Sequence, residues 1–165
     1  MDIHGLKEEL RAKRKVEQIL LESEKRRLKY RKAETGNFRE QFRRYFKNVH
    51  NFACPKEYEP LVASFDSIVV TLAENTERNA KEKGYKIFFI LTSPDKKVHS
   101  IYADGSAFWF DNIKFEEGTE IEEIDINDQK YHEDLVNDKI IYKFKYYIEG
   151  DDRVFERVSE LLEII

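Results

Sequence analysis

From Ile3 to about Ala33 the chain contains no proline and is dominated by strong helix formers. Wound at about 100° per residue, Ile3, Leu6, Leu10, Leu20, Leu21 and Leu28 fall on one broad side, with Val16 and Ile19 at its flank. The pattern predicts a long helix with a thin apolar stripe. A heptad frame begun at Ile3 puts Lys13, Glu17, Glu24 and Arg27 in the seam, which argues against a long self-sufficient coiled coil. The helix is expected to lean on the rest of the chain over its first two thirds and to project beyond them. Thr35-Gly36-Asn37 then predicts a break, with Asn37 and Glu40 placed as a reciprocal cap for a second helix. In that helix Phe38, Phe42, Tyr45, Phe46 and Val49 share a buried side, while Arg39, Arg43, Arg44 and Lys47 take the others.

After Cys54-Pro55 and Glu59-Pro60, a third helix is predicted from about Pro60 to Lys83, with Leu61, Val62, Phe65, Ile68, Val69 and Leu72 inward and Gly84 as its stop. The period then shortens to two. Tyr85 to Thr92 reads as a central strand, and Ser93 to Lys97 as a turn into Val98 to Ala103. Asp104-Gly105 predicts a tight hairpin into a strand from Ser106 to Phe115. Ile121 to Ile126 reads as a charged edge strand, and Asp128 to Asp138 as a polar linker or short helix. Lys139 to Ile148 alternates, with Ile140, Tyr142, Phe144, Tyr146 and Ile148 on one face. Gly150 to Asp152 lead into a final helix that buries Val154, Phe155, Val158, Leu161, Leu162 and Ile165. Helices, then hairpin-linked strands, then a helix predict an α+β fold: a four- to five-stranded antiparallel meander with helices packed on it. The expected division is a basic helical arm over residues 1–50 and an α+β body over 51–165.

The 165 residues suffice for a core without disulfide or metal staples, and 12 Phe, 9 Tyr and 1 Trp make that core aromatic. Charge is unevenly spread. Met1 to Lys47 carry 15 Lys/Arg against 8 Asp/Glu, a net +7, and the remainder carries −11 within an overall −4. Asp111 to Asp138 hold 11 acids and only Lys114 and Lys130 as bases. One Cys, no secretion pattern and no apolar run of ~20 residues predict a cytoplasmic protein that does not span a membrane.

The stretch KRRLKYRK sets positive charge on nearly every side of the first helix. Lys25, Arg26, Arg27, Lys29, Arg31 and Lys32 can each neutralise a phosphate, and Tyr30 can stack on an exposed base. Arg39, Arg43, Arg44 and Lys47 extend the patch. The opposing reading is a solvated helix end paired with Glu22 and Glu24. The acidic span offers Glu122, Glu123, Asp125 and Asp128 as a phosphate-like row for a basic partner. Asp125, Asp128, His132, Glu133 and Asp134 are metal-ligand types without a metal-site spacing, so no metal or cofactor is expected. His50 with Cys54 lacks further ligands, and His99, Ser100 and Asp104 lack the flanking glycines of a nucleophile turn. Trp109 is a candidate partner anchor.

These features predict a non-enzymatic binding or regulatory protein that contacts nucleic acid, or an anionic surface of a nucleic-acid-associated protein, through its basic arm. The alternatives are an inhibitor of a nucleic-acid-processing enzyme acting through residues 111–138, and a small-molecule-binding domain or an enzyme of another kind. The first helix is also a candidate element for joining two copies as a homodimer.

Overall fold

The computed structural model describes residues 1–56, 58–110 and 123–165. Among them the order is α1 (Ile3–Arg44), a π-helical turn (Tyr45–Val49), β1 (Leu61–Phe65), β2 (Ile68–Glu74), α2 (Thr76–Lys81), β3 (Ile87–Thr92), β4 (Val98–Trp109), α3 (Gln129–Val136), β5 (Ile140–Ile148) and α4 (Val158–Ile164). The five strands form one sheet in chain order, an antiparallel meander. The fold is therefore α+β, with a long N-terminal helix and a C-terminal helix. The residues group into two compact units: Met1–Tyr30 with Ser106–Lys143, and Arg31–Gly105 with Phe144–Ile165.

In the second unit, Phe38 and Phe42 of α1 pack with Leu61, Leu72, Phe89, Leu91, Ile101, Tyr146 and Leu161 in one core. Phe38 stacks on Phe89 with ring centroids 4.2 Å apart and meets Tyr146 edge-on at 5.5 Å. This explains the first correction. The predicted break at Thr35-Gly36-Asn37 is absent, and α1 runs through it. Thr35 turns its hydroxyl back onto the Arg31 carbonyl at 2.9 Å, and Asn37 bonds Glu34 instead of capping a new helix. An uninterrupted helix keeps Phe38 and Phe42 in register with the core, a gain that outweighs the ~1 kcal/mol cost of one helical glycine. The predicted inward Val49 is exposed, because the chain leaves the helix through the π turn and Asn51 has a φ of 58°.

The third predicted helix is instead a hairpin, β1 and β2 paired from Leu61↔Leu72 to Phe65↔Ile68. Leu61, Ala63, Val70 and Leu72 are the buried set, so the governing period is two. The helical spacing of Leu61, Phe65, Ile68 and Leu72 coincides with it over this length, and the β-branched run Ile68-Val69-Val70-Thr71 tips the backbone to strand. Asp66, at φ 53°, makes the turn, and helix is confined to α2, capped by the Asn75 side chain on the Arg78 N–H at 3.2 Å.

The Asp104-Gly105 turn is likewise corrected: both residues lie inside β4. A Cβ on Gly105 would stand 2.7 Å from the Phe144 ring and 3.1 Å from the Tyr85 Cβ. Close approach, not turn geometry, is what selects glycine here. The central strand β3 matches expectation, buried on both faces, and so does the turn after Ser93. In β5 Ile140 and Tyr146 are buried while Lys143 and Lys145 face water. Phe155 forms a bridge to Tyr146, and the predicted inward Val154 is exposed.

In the first unit, Ala107, Ile124, Tyr131, Leu135 and Ile140 are buried. The expected returning strand beyond Phe110 and part of the charged edge strand lie outside the described residues. Glu123 to Asp125 are not in a strand; the buried Ile124 donates its N–H to the Ala107 carbonyl at 2.9 Å, and Asp128 caps α3 on the Lys130 N–H. No described helix is long and apolar enough to cross a membrane.

Candidate functional site

The long helix packs the opposite way round from the expected one. From Ile3 to Glu22 no residue of α1 is buried, and Ser23 is the first that is. The first half, not the far end, is the part that no other described element covers.

Beyond it, in the first unit, the basic stretch is anchored. The Ser23 hydroxyl bonds His132 Nδ1 at 2.7 Å. Arg26 is ion-paired with Asp138 and reaches the Val136 carbonyl at 3.4 Å, so it closes the C-terminal end of α3. Arg27 is bidentate on Glu24 at 2.6 and 2.8 Å. The Tyr30 ring packs on Tyr142 at 4.8 Å, and Tyr142 shares a hydroxyl contact with Tyr131. The expected outward prong is therefore corrected: this part of the helix does have a face to cover, made of polar and aromatic groups instead of aliphatic ones. Burial holds the His132 imidazole below its ordinary pKa, in the neutral form that an Nδ1 or hydroxyl acceptor pairing suits.

In the second unit Arg31 is buried, and its guanidinium donates to the Lys86 carbonyl at 3.0 Å and the Asn79 carbonyl at 3.3 Å. Arg39 pairs with Glu59 and donates to the Tyr58 carbonyl at 3.1 Å. Arg43 joins Glu40 at 2.8 Å to the Cys54 carbonyl at 3.2 Å. The carboxyl of Glu40 sits below the usual range, chiefly because Arg43 bonds it. Arg44 is exposed, with Glu40 at 3.4 Å.

The predicted residues thus separate by chemistry. The forked guanidiniums of Arg26, Arg31, Arg39 and Arg43 lock elements together, and that of Arg27 braces its own helix at Glu24, tasks their planar geometry suits. The ammonium groups of Lys25, Lys29, Lys32 and Lys47 stand in solvent, and Lys25 also has Glu22 at 3.3 Å. Lys25 and Lys29 share one face of the helix in the first unit, at i and i+4.

On the acidic side, Glu122 lies outside the described residues and Glu123 is exposed. Asp125 accepts from the Asn127 N–H at 2.9 Å and Asp128 from the Lys130 N–H at 3.1 Å, so both shape the entry to α3. Trp109 is half-buried and donates its indole N–H to the buried Asp134 at 2.8 Å, which makes it a structural side chain and not an exposed anchor. Among the described residues no group of three or more His, Cys, Asp or Glu is arranged to hold a metal ion. Cys54 is buried, and burial pushes its thiol pKa up, away from the reactive thiolate.

Two features of the second unit escape sequence reasoning, the first because it joins distant segments and the second because only the turn geometry brings its side chains together. An apolar cleft of about 260 Å³ is lined by Tyr45, Phe46, Phe52, Val70, Leu91 and Leu162, with His50 and Ser93 as its polar members. Beside it, Ser93 Oγ lies 2.5 Å from Asp95 Oδ1 and 3.4 Å from His99 Nε2. These are the letters of a hydrolytic triad in the wrong order. The serine hydroxyl donates to the carboxylate and is buried, and Asp95 also takes the Lys97 N–H, so the group fastens the β3–β4 turn. No family model, curated protein or solved structure matches this chain.

Proposed function

We propose that this is a non-enzymatic binding protein whose first helix presents exposed lysines to an anionic partner, nucleic acid or an acidic protein surface. The observation that carries the reading is the division of labour along α1. Arg26, Arg27, Arg31, Arg39 and Arg43 are engaged at fixed intramolecular acceptors, whereas Lys25, Lys29 and Lys32 hold their charge in water, as does Lys47 just beyond the helix. Ammonium groups of this kind neutralise phosphates or carboxylates as point charges, without the bidentate geometry that reads a base. Binding of this type is salt-sensitive and indifferent to sequence. Tyr30, occupied by Tyr142, adds no base stacking.

The test is a titration of the full chain against a labelled duplex, a labelled single strand and an acidic peptide, each at two salt concentrations. The expected result is binding to one of them that weakens with salt and is lost when Lys25, Lys29 and Lys32 are changed to Gln. Absence of binding at low salt, or binding that ignores those changes, rejects the reading.

A second reading rests on the cleft lined by Phe46, Phe52 and Leu91, which supports a small apolar ligand. It predicts saturable binding of an environment-sensitive apolar dye that Leu91→Trp blocks. Inhibition through the acidic span has less support, because Asp125 and Asp128 already serve a turn and a cap.

A further inference from the structure

One face of α1, from Ile3 through the uncovered half to Leu28, carries a pattern whose complement is itself. Positions 3, 7, 10, 14, 17, 21, 24 and 28 alternate steps of four and three, the spacing of a helix–helix seam, and they hold Ile, Lys, Leu, Arg, Glu, Leu, Glu and Leu. The four apolar members are exposed: Ile3 by 54%, Leu10 by 48%, Leu21 by 59% and Leu28 by 50%. The face that Ser23, Arg26 and Tyr30 turn toward their own unit lies on the opposite side of the helix, counting about 100° per residue. Among the described residues of the unit, none buries the four apolar members of the seam.

We infer that two copies of this chain pair through this seam as an antiparallel dimer, with residue 3 of one helix opposite residue 28 of the other. In that register Ile3 meets Leu28, Lys7 meets Glu24, Leu10 meets Leu21 and Arg14 meets Glu17, and the two-fold axis repeats each contact once. Every apolar layer faces an apolar layer, and every charge faces its opposite. Pairing in the same direction would set Lys7, Arg14, Glu17 and Glu24 each against its own copy, four like-charge layers among the eight. Lys7, Arg14, Glu17 and Glu24 thus specify direction and register, the role in which polar seam residues trade stability for specificity.

Two further features fit. Leu6 and Leu20 flank the seam, where the aliphatic stem of the other copy's Lys13 can cover Leu20. The overlap from residue 3 to residue 28 spans about 38 Å at 1.5 Å per residue, long enough for seven turns of contact. An exposed helix of this composition gains little from propensity alone, and a second helix on its apolar stripe supplies the tertiary packing it lacks. The inference does not depend on the lysines binding an anion; Lys29 and Lys32 lie outside the seam.

Sedimentation equilibrium on the full chain tests it. The wild type is expected to form a concentration-dependent dimer. Arg14→Glu and Glu17→Arg, each alone, place like charges across both central layers and should weaken self-association more than about tenfold, the effect of 1.4 kcal/mol. An equimolar mixture of the two variants restores both pairs and should dimerise as well as wild type. Circular dichroism and the unfolding midpoint should barely change, since the residues are exposed. Orientation is read separately: Leu10→Cys and Leu21→Cys variants should cross-link when mixed, and neither should do so with itself. A monomeric wild type, dimerisation unaffected by Arg14→Glu, failure of the mixture to recover, or self-cross-linking of Leu10→Cys overturns the proposal. If Lys25, Lys29 and Lys32 changed to Gln abolish anion binding while the dimer persists, the two readings are shown to be separate.

Discussion

At the scale of single residues, positive charge in this protein is sorted by side-chain shape. A guanidinium satisfies two carbonyls at once, so Arg31 can be buried at a place where a lysine would leave acceptors unmet. Arg31→Ala is expected to lower stability by about 2–3 kcal/mol, the range for hydrogen bonds to a charged group, measured as a shift in the urea midpoint at constant m. An effect within experimental error would mean the side chain is dispensable. Glu34 shows the converse case. Its carboxyl accepts from the buried Tyr146 hydroxyl at 2.7 Å, yet burial, the largest influence, raises its pKa above 4.5 despite that bond. With a folded pKa above the unfolded one, the folded state holds the proton more tightly. The stability this provides is fully present below about pH 4.5 and fades as pH rises through the folded value. Glu34→Gln keeps an acceptor for Tyr146 and removes the titration, so its stability relative to wild type should improve on going from acid to neutral pH. Urea unfolding at both ends of that window checks it; a constant difference would count against the assignment.

At the scale of elements, two glycines that look alike as letters have opposite roles. Gly36 sits mid-helix with nothing within 4 Å of where a Cβ would be, whereas the Cβ position at Gly105 runs into Phe144. Gly36→Ala should raise the thermal midpoint through a gain of about 0.5–1 kcal/mol, since only helix propensity is at stake. Gly105→Ala should cost about 1–3 kcal/mol by overpacking the core. The same measurement on both variants decides, and a stabilised Gly105→Ala would show that the ring yields freely. Other elements were legible from the sequence alone. The doubly buried β3 and the alternation of β5 follow from period and composition, because a strand covered on both faces or on one leaves a local signature; over residues 128–138 the sequence left a linker or a short helix, and the structure has the helix. The β1–β2 hairpin did not, since Leu61, Phe65, Ile68 and Leu72 satisfy both periods, and the β-branched run from Ile68 together with pairing to β3 chooses between them.

At the scale of the whole molecule, the sequence determined that the chain is α+β, that its sheet is an antiparallel meander, and that its first part is basic and its later part acidic. Those properties are sums over local choices, so they survive errors in any one element. The antiparallel charge match along α1 is also written in the sequence, but it acquires meaning only once that face is known to be uncovered. What tertiary structure alone decided is which charges remain available. Lys29 and Arg31 stand two positions apart in the same helix; one is in water and the other is fastened to backbone carbonyls of a distant segment. Sequence spacing can place a side chain on a face. Whether that face meets water, a carbonyl or another helix depends on segments far along the chain, because burial is set by long-range packing and not by neighbours in sequence.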